Sequence, residues 1–175
     1  RTAIGVWMEG FKEIKAEAVS LEIRYHVMKC MTQNAAQRDP ETGWCYKNGG
    51  RAPIGYRNVR VPKGRSRKGK DVVKLLWEVD EEWAPVVRRI ALETWARGGL
   101  SFKQIRDKLN GEGLVNPAGQ PWHISTIREI CYRALDGQYN GIYYWNRTAR
   151  KAKVVGQKWN RPEEWVVVEN AHPAI

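Results

Sequence analysis

The sequence predicts a mixed α+β chain, mostly helical: a long N-terminal helix followed by a compact helix-turn-helix-like domain with short β-strands and a hairpin. Three observations carry that expectation. Apolar residues from Ile4 to Ala35 recur at alternating three- and four-residue spacings. Three later segments each repeat a helical apolar face. Runs of β-branched and aromatic residues flank the basic, glycine-containing stretches near residues 56–78 and 138–169. With 175 residues, 42% of them hydrophobic, and nine Trp, the chain can build a core, which excludes a disordered basic tail. No apolar run of about 18 residues is present to span a membrane, and no charged-then-apolar leader opens the chain.

The first element covers Ile4 to about Ala36. Ile4, Trp7, Phe11, Ile14, Ala18, Leu21, Tyr25, Met28, Thr32 and Ala35 trace a heptad seam, with charged residues at other positions. A helix of this span is roughly 50 Å long at 1.5 Å per residue, too long to fold onto so small a domain. Part of the seam is therefore expected to meet another chain. The candidate self-association residues are Phe11, Ile14, Ala18, Leu21, Tyr25 and Met28. Asp39-Pro40-Glu41-Thr42-Gly43 stops the helix. Residues 1–38 are thus read as the long helix, 39–48 as a linker and 49–175 as the domain.

Gly49 to Arg57 forms an irregular hook. Its glycines permit close backbone approach, Pro53 holds an extended path, and Arg51, Tyr56 and Arg57 offer contacts suited to a minor groove. Lys63–Lys70, carrying Arg65, Arg67 and Lys68, reads as a mobile turn between strands at 56–61 and 72–78. Three helices follow. Asp80 caps the first, whose apolar face is Trp83, Val86, Val87, Ile90, Ala91 and Trp95. Ser101 caps the second, with Phe102, Ile105 and Leu109 inward. The third runs from His123 to Leu135, with Ile124, Ile127, Ile130, Cys131 and Ala134 on one side. Ser125, Thr126, Glu129, Tyr132 and Arg133 lie opposite, with Arg128 flanking. The tail reads as strands: Gln138–Asn146, a partner at Lys153–Val155, and Trp165–Glu169 with Val166–Val168 as buried sheet.

Charge points to the partner. Eight basic and no acidic residues lie between Arg51 and Lys70, and six and none between Gly137 and Pro162, within a formal net charge of +11. Clustered cations without competing carboxylates suit polyphosphate, since each neutralised phosphate releases counterions. Neither stretch is a basic amphipathic helix, so a membrane surface fits less well. Double-stranded DNA is the expected partner. Ser125, Thr126, Arg128, Glu129, Arg133 and His123 face the major groove, and Arg147, Arg150, Lys151 and Lys153 grip phosphates. Cys30, Cys45 and Cys131 are odd in number, far apart and in no CxxC pair. That argues against a disulfide framework or zinc ribbon and points to the reducing cytoplasm. No metal spacing and no cofactor motif is evident. A stand-alone helix-turn-helix transcriptional regulator and an RNA-binding protein with aromatic platforms stay open as alternatives.

The order of motifs resembles the recombinase domain of large serine recombinases, the serine integrases. The resemblance is carried by Gly49-Gly-Arg-Ala-Pro-Ile-Gly-Tyr56, by Gly99 to Gly113 followed by Trp122, Ser125 and Ile127, by Tyr139-Asn-Gly141, and by Glu164 to Ile175. It implies a domain that holds a phage- or bacterium-type attachment site while a separate catalytic domain cuts and rejoins DNA through a phosphoserine. It also implies that residues 1–38 resemble the helix joining those two domains. Ser20, Ser66, Ser101 and Ser125 lie in no arginine-framed nucleophile motif, so no catalytic residue is assigned. The start at Arg1, without an initiator Met and inside a helical pattern, suggests a piece of a larger protein.

Overall fold

The computed structural model describes residues 2–148 and 159–175. Two compact units are present, residues 1–34 and 35–175. The first consists of helix α1, which spans Ala3–Ala36 and so reaches just into the second. The heptad seam is on its surface: Phe11, Ile14, Leu21 and Tyr25 are all exposed, and Met28 is half-buried. Exposed Met8, Val19, Ile23, Val27 and Met31 lie off that seam, so among its described residues this helix buries no apolar face within its own unit. No helix among the described residues is long and apolar enough to cross a membrane.

The second unit begins at Ala35, and four residues of the 39–48 segment, Asp39, Cys45, Tyr46 and Lys47, are buried in it. Asp39 explains that burial, because its carboxylate organises the turn around itself. Thr42 donates to it from both backbone N and Oγ1 at 3.1 Å, Tyr46 from its hydroxyl at 2.9 Å, and Lys63 closes an ion pair at 2.6 Å. Lys63 above all, with the Tyr46 and Thr42 hydrogen bonds, holds the Asp39 carboxyl well below the usual carboxylate range, and Asp39 in turn, with Tyr46, pushes Lys63 up to about 12.

Strands β1 (Tyr56–Arg65) and β2 (Asp71–Val79) form an antiparallel hairpin, with Tyr56 opposite Val79 and Pro62 opposite Val73. Both run longer than expected. Lys63 lies inside β1, tied to Asp39 rather than in a mobile turn, and the true turn is Ser66–Gly69. The next helix also departs from expectation. Asp80 accepts from Glu82 N at 3.2 Å, but the α-helix, α2, starts later, at Ala84–Arg88, with Pro85 in its first turn. It continues as a π-helix over Arg89–Ala96, sealed by an Arg97 N to Leu92 O bond of 2.9 Å. Thr94, turned inward there, donates its hydroxyl to Ile90 O at 2.8 Å.

Helix α3 (Phe102–Gly111) starts at a capping box in which Ser101 and Gln104 satisfy each other's backbone N–H groups. Helix α4 (Ile124–Leu135) starts at His123. A long turn joins the two helices, and side-chain amides hold it in place of brevity. Asn110 Nδ2 donates to Trp122 O at 3.1 Å and its Oδ1 accepts from Trp122 N at 2.8 Å. Asn116 Oδ1 accepts from Ala118 N at 2.8 Å. Val87, Ile90, Ile105, Leu109, Trp122, Ile127, Ile130 and Cys131 fill the space between these helices.

The tail makes a second antiparallel pair, β3 (Tyr143–Trp145) with β4 (Val166–Val168). Residues 138–140 are a 3₁₀ turn instead of strand, entered and left through Gly137 and Gly141, both at positive φ. The valine run is not buried sheet: Val167 is exposed and its neighbours half-buried, since one face of a two-stranded ribbon meets solvent. The expected partner strand at Lys153–Val155 lies outside the described residues. Residues 38–47 are stitched to the tail. Arg38 donates to Asn170 O at 2.7 Å and Glu169 O at 3.0 Å. Cys45 N and Lys47 Nζ both donate to Ala171 O at 3.0 Å.

Candidate nucleic-acid interface

The hook is built by backbone geometry. Gly49 and Gly50 take positive φ, and Asn58 Nδ2 donates to Gly50 O at 2.9 Å, which fastens the loop to β1. Pro53 to Tyr56 is a β-turn with Gly55 at φ 97°, closed by Tyr56 N to Pro53 O at 3.0 Å. A Cβ on Gly55 would stand 2.7 Å from Ile175 Cδ1 and 3.1 Å from Val87 Cγ2, so the turn is pressed onto the core. Tyr139 donates to Ile54 O at 3.0 Å from below. Arg51 and Arg57 are left on the outside.

The hook and the outer side of α4 are two walls of one cleft of about 550 Å³. Arg51, Arg57 and Asn58 line it from the hook and β1, Thr126, Glu129 and Arg133 from α4, and Asn116, Pro117 and Ala118 from the interhelical turn. Trp83, Ile130 and Tyr139 also line it. Three arginines thus meet Asp80 and Glu129 around a partly apolar lining. Each of two arginines already has a carboxylate: Arg57 pairs with Glu78 at 3.1 Å, and Arg133 with Glu129. In the latter pair Glu129 Oε1 accepts from Nε at 3.1 Å and Nη2 at 2.5 Å, while Gln138 Oε1 takes Nη1.

Among the other expected site residues, Tyr56 lines the cleft only from the core, at 5% exposure. It stacks on Trp77 and Tyr139, meets His172 edge-on, and donates its hydroxyl to Pro173 O at 2.8 Å. Burial raises its pKa well above the ordinary phenol value. His123 and Ser125 are occupied with each other: His123 Nδ1 caps α4 by accepting from Ser125 N, with Ser125 Oγ 2.8 Å away. Arg128 is exposed on α4, and Arg67 and Lys68 are exposed at the hairpin tip, beside an Arg65–Asp71 pair at 3.4 Å.

Arg147 is held internally. It pairs with Asp136 at 2.8 Å and lies over Tyr144, Trp165 and Trp159 at 4.6, 4.8 and 5.6 Å. Arg150, Lys151 and Lys153 lie outside the described residues. The sequence reading missed the wall at 116–118 and the fastening role of Asn58. Asn116-Pro117-Ala118-Gly119 carries a turn signature that marks a rigid loop but gives no hint of what it faces.

Behind the cleft sit two bases with no place in it. Burial draws Lys47 down to about 7 while its ammonium lies over Tyr143 at 4.2 Å and Trp77 at 4.8 Å. Burial, assisted by the Lys47 charge, lowers His172 to about 4. Burial alone pushes the Cys131 thiol up to about 11, leaving it an inert core side chain.

A family model described as Recombinase matches residues 81–175, from the turn before α2 to the last residue. The class is therefore a domain of site-specific DNA recombination, for which DNA is the partner the family implies. The chain belongs to the Recombinase family, and the matched region is the recombinase domain of large serine recombinases. The hook and the first hairpin precede the matched residues. The search of curated proteins found no match to this chain.

Proposed function

We propose that the domain binds the duplex attachment site of a serine integrase, holding it while a serine nucleophile on another part of the protein cuts and rejoins the strands through a phosphoserine. In this reading α3 and α4 act as a helix-turn-helix-like pair with α4 in the major groove. The hook follows the adjacent minor groove, and α1 self-associates through Phe11, Ile14, Ala18, Leu21, Tyr25 and Met28. The observation that carries the reading is the shared cleft: Arg51 and Arg57 from one basic stretch face Thr126 and Arg133 of α4 across a single gap. A surface of that kind fits the sugar-phosphate ridge that separates a minor from a major groove. Arg67 and Lys68 at the hairpin tip add looser phosphate contacts.

The test is a salt titration of binding to a mixed-sequence 30-base-pair duplex and to its single strands. The duplex is expected to bind more tightly, with log affinity falling linearly in log salt. Equal affinity for single strands would point to RNA-type recognition and sink the proposal.

A further inference from the structure

Glu129 is the only carboxylate on the exposed side of α4, and it sits among the groups that would meet DNA. Of the five N–H donors on the Arg133 guanidinium, Glu129 and Gln138 engage one on each nitrogen, so one on each terminal nitrogen is unspent. Arg133 is thus held in a fixed orientation on the cleft wall and half-neutralised there. A phosphate in the cleft competes with Glu129 for that guanidinium. Once displaced, the Glu129 carboxylate needs another donor, for a bare carboxylate next to the DNA backbone is repelled. The major groove supplies donors in one form, the exocyclic amines of cytosine and adenine, while guanine O6 and thymine O4 present only oxygen there.

We propose that Glu129 is a specificity-determining residue: it holds Arg133 until a phosphate takes that guanidinium, and then accepts a hydrogen bond from an amine-bearing base in the major groove. The inference rests on the DNA-binding reading above. Sites with cytosine or adenine at one position satisfy both groups. Sites with a keto oxygen there leave the carboxylate without a donor, and binding to them is suppressed.

Selection of bound duplexes from a randomised 30-base-pair pool by the 175-residue chain tests this. The wild-type protein should enrich cytosine or adenine at one position by about 5- to 150-fold. Glu129→Gln should lose the cytosine enrichment, keeping at most adenine, which an amide can pair with, and should bind the unselected pool more tightly, with a salt dependence steeper by about one phosphate. Adding Arg133→Gln should abolish the gain in pool affinity without restoring the base preference. Circular dichroism checks that both variants fold. An unchanged selected sequence and pool affinity in Glu129→Gln overturns the inference alone, as does an equal loss on all duplexes. If the wild-type protein retains no duplex at all, the DNA-binding reading falls and this inference with it.

Discussion

The cleft and the stitch between residues 38–47 and 169–173 both concentrate basic side chains, and they use them in opposite ways. In the stitch, Arg38 and Lys47 spend their donors on backbone carbonyls, with Lys47 roofed by Trp77 and Tyr143. In the cleft, Arg51, Arg57 and Arg133 stand at a solvent gap, with an exchangeable carboxylate on each of the last two and the Gln138 amide also on Arg133. The difference teaches that a positive charge in the sequence says little about its availability. What decides is whether the chain has carbonyls and aromatic faces of its own to offer.

That contrast can be broken most forcefully at Tyr56, whose backbone closes the turn of the hook while its ring packs against His172 and Pro173 beside the stitch. Tyr56→Ala should cost about 3–5 kcal/mol of unfolding free energy in urea, the loss of a buried aromatic. Tyr56→Phe should leave duplex affinity untouched. A weakened affinity in a Phe variant of undiminished stability would return the hydroxyl to the DNA surface.

The buried bases set the next largest effect. Lys47, drawn down to about 7, binds fewer protons folded than unfolded from about pH 7 up to its ordinary 10.5, so stability should climb with pH across that window. The expected gain is about 3 kcal/mol between pH 7 and 10. Lys47→Met should flatten it. His172 acts in the same direction lower down: its contribution is complete above 6.5 and is lost as pH falls through about 4. Denaturant titrations at stepped pH read both windows.

A smaller pair of measurements sharpens the comparison among arginines. Arg147→Gln should lower stability by about 1–2 kcal/mol through its lost aromatic contacts and leave the salt slope of binding unchanged. Arg51→Gln and Arg57→Gln should do the reverse, each removing about one phosphate from the slope at little cost in stability. If Arg147→Gln cuts the slope instead, the aromatic cage opens on DNA.

Much of this architecture is legible in the sequence, and the reasons for the failures are physical. The α1 helix, the Ser101 cap and the inward face of α4 follow from helical period and capping chemistry, which act locally. The burial of Asp39, Cys45, Tyr46 and Lys47 does not. Asp39 reads as a helix stopper, and its partner Lys63 is 24 residues away on another strand. The π-helical turn escapes because its apolar spacing through Ile90, Ala91 and Trp95 also fits an ordinary helix. Thr94 makes the difference by turning inward. At the site, α4's outward polar face is visible in a wheel, and the glycines and proline mark the hook. Their convergence is invisible, since it depends on Tyr139 reaching Ile54 O and on Gly55 pressing against Val87.

The stitch has one more consequence. Because Arg38 and Cys45 lie against residues 169–171, the two extremities of the compact unit run side by side. Joining them with a short tether and opening the exposed Ser66–Gly69 bend would give a circular permutant with the same interior. For this body the order of reading is a convenience, and the closed loop of backbone is the fold.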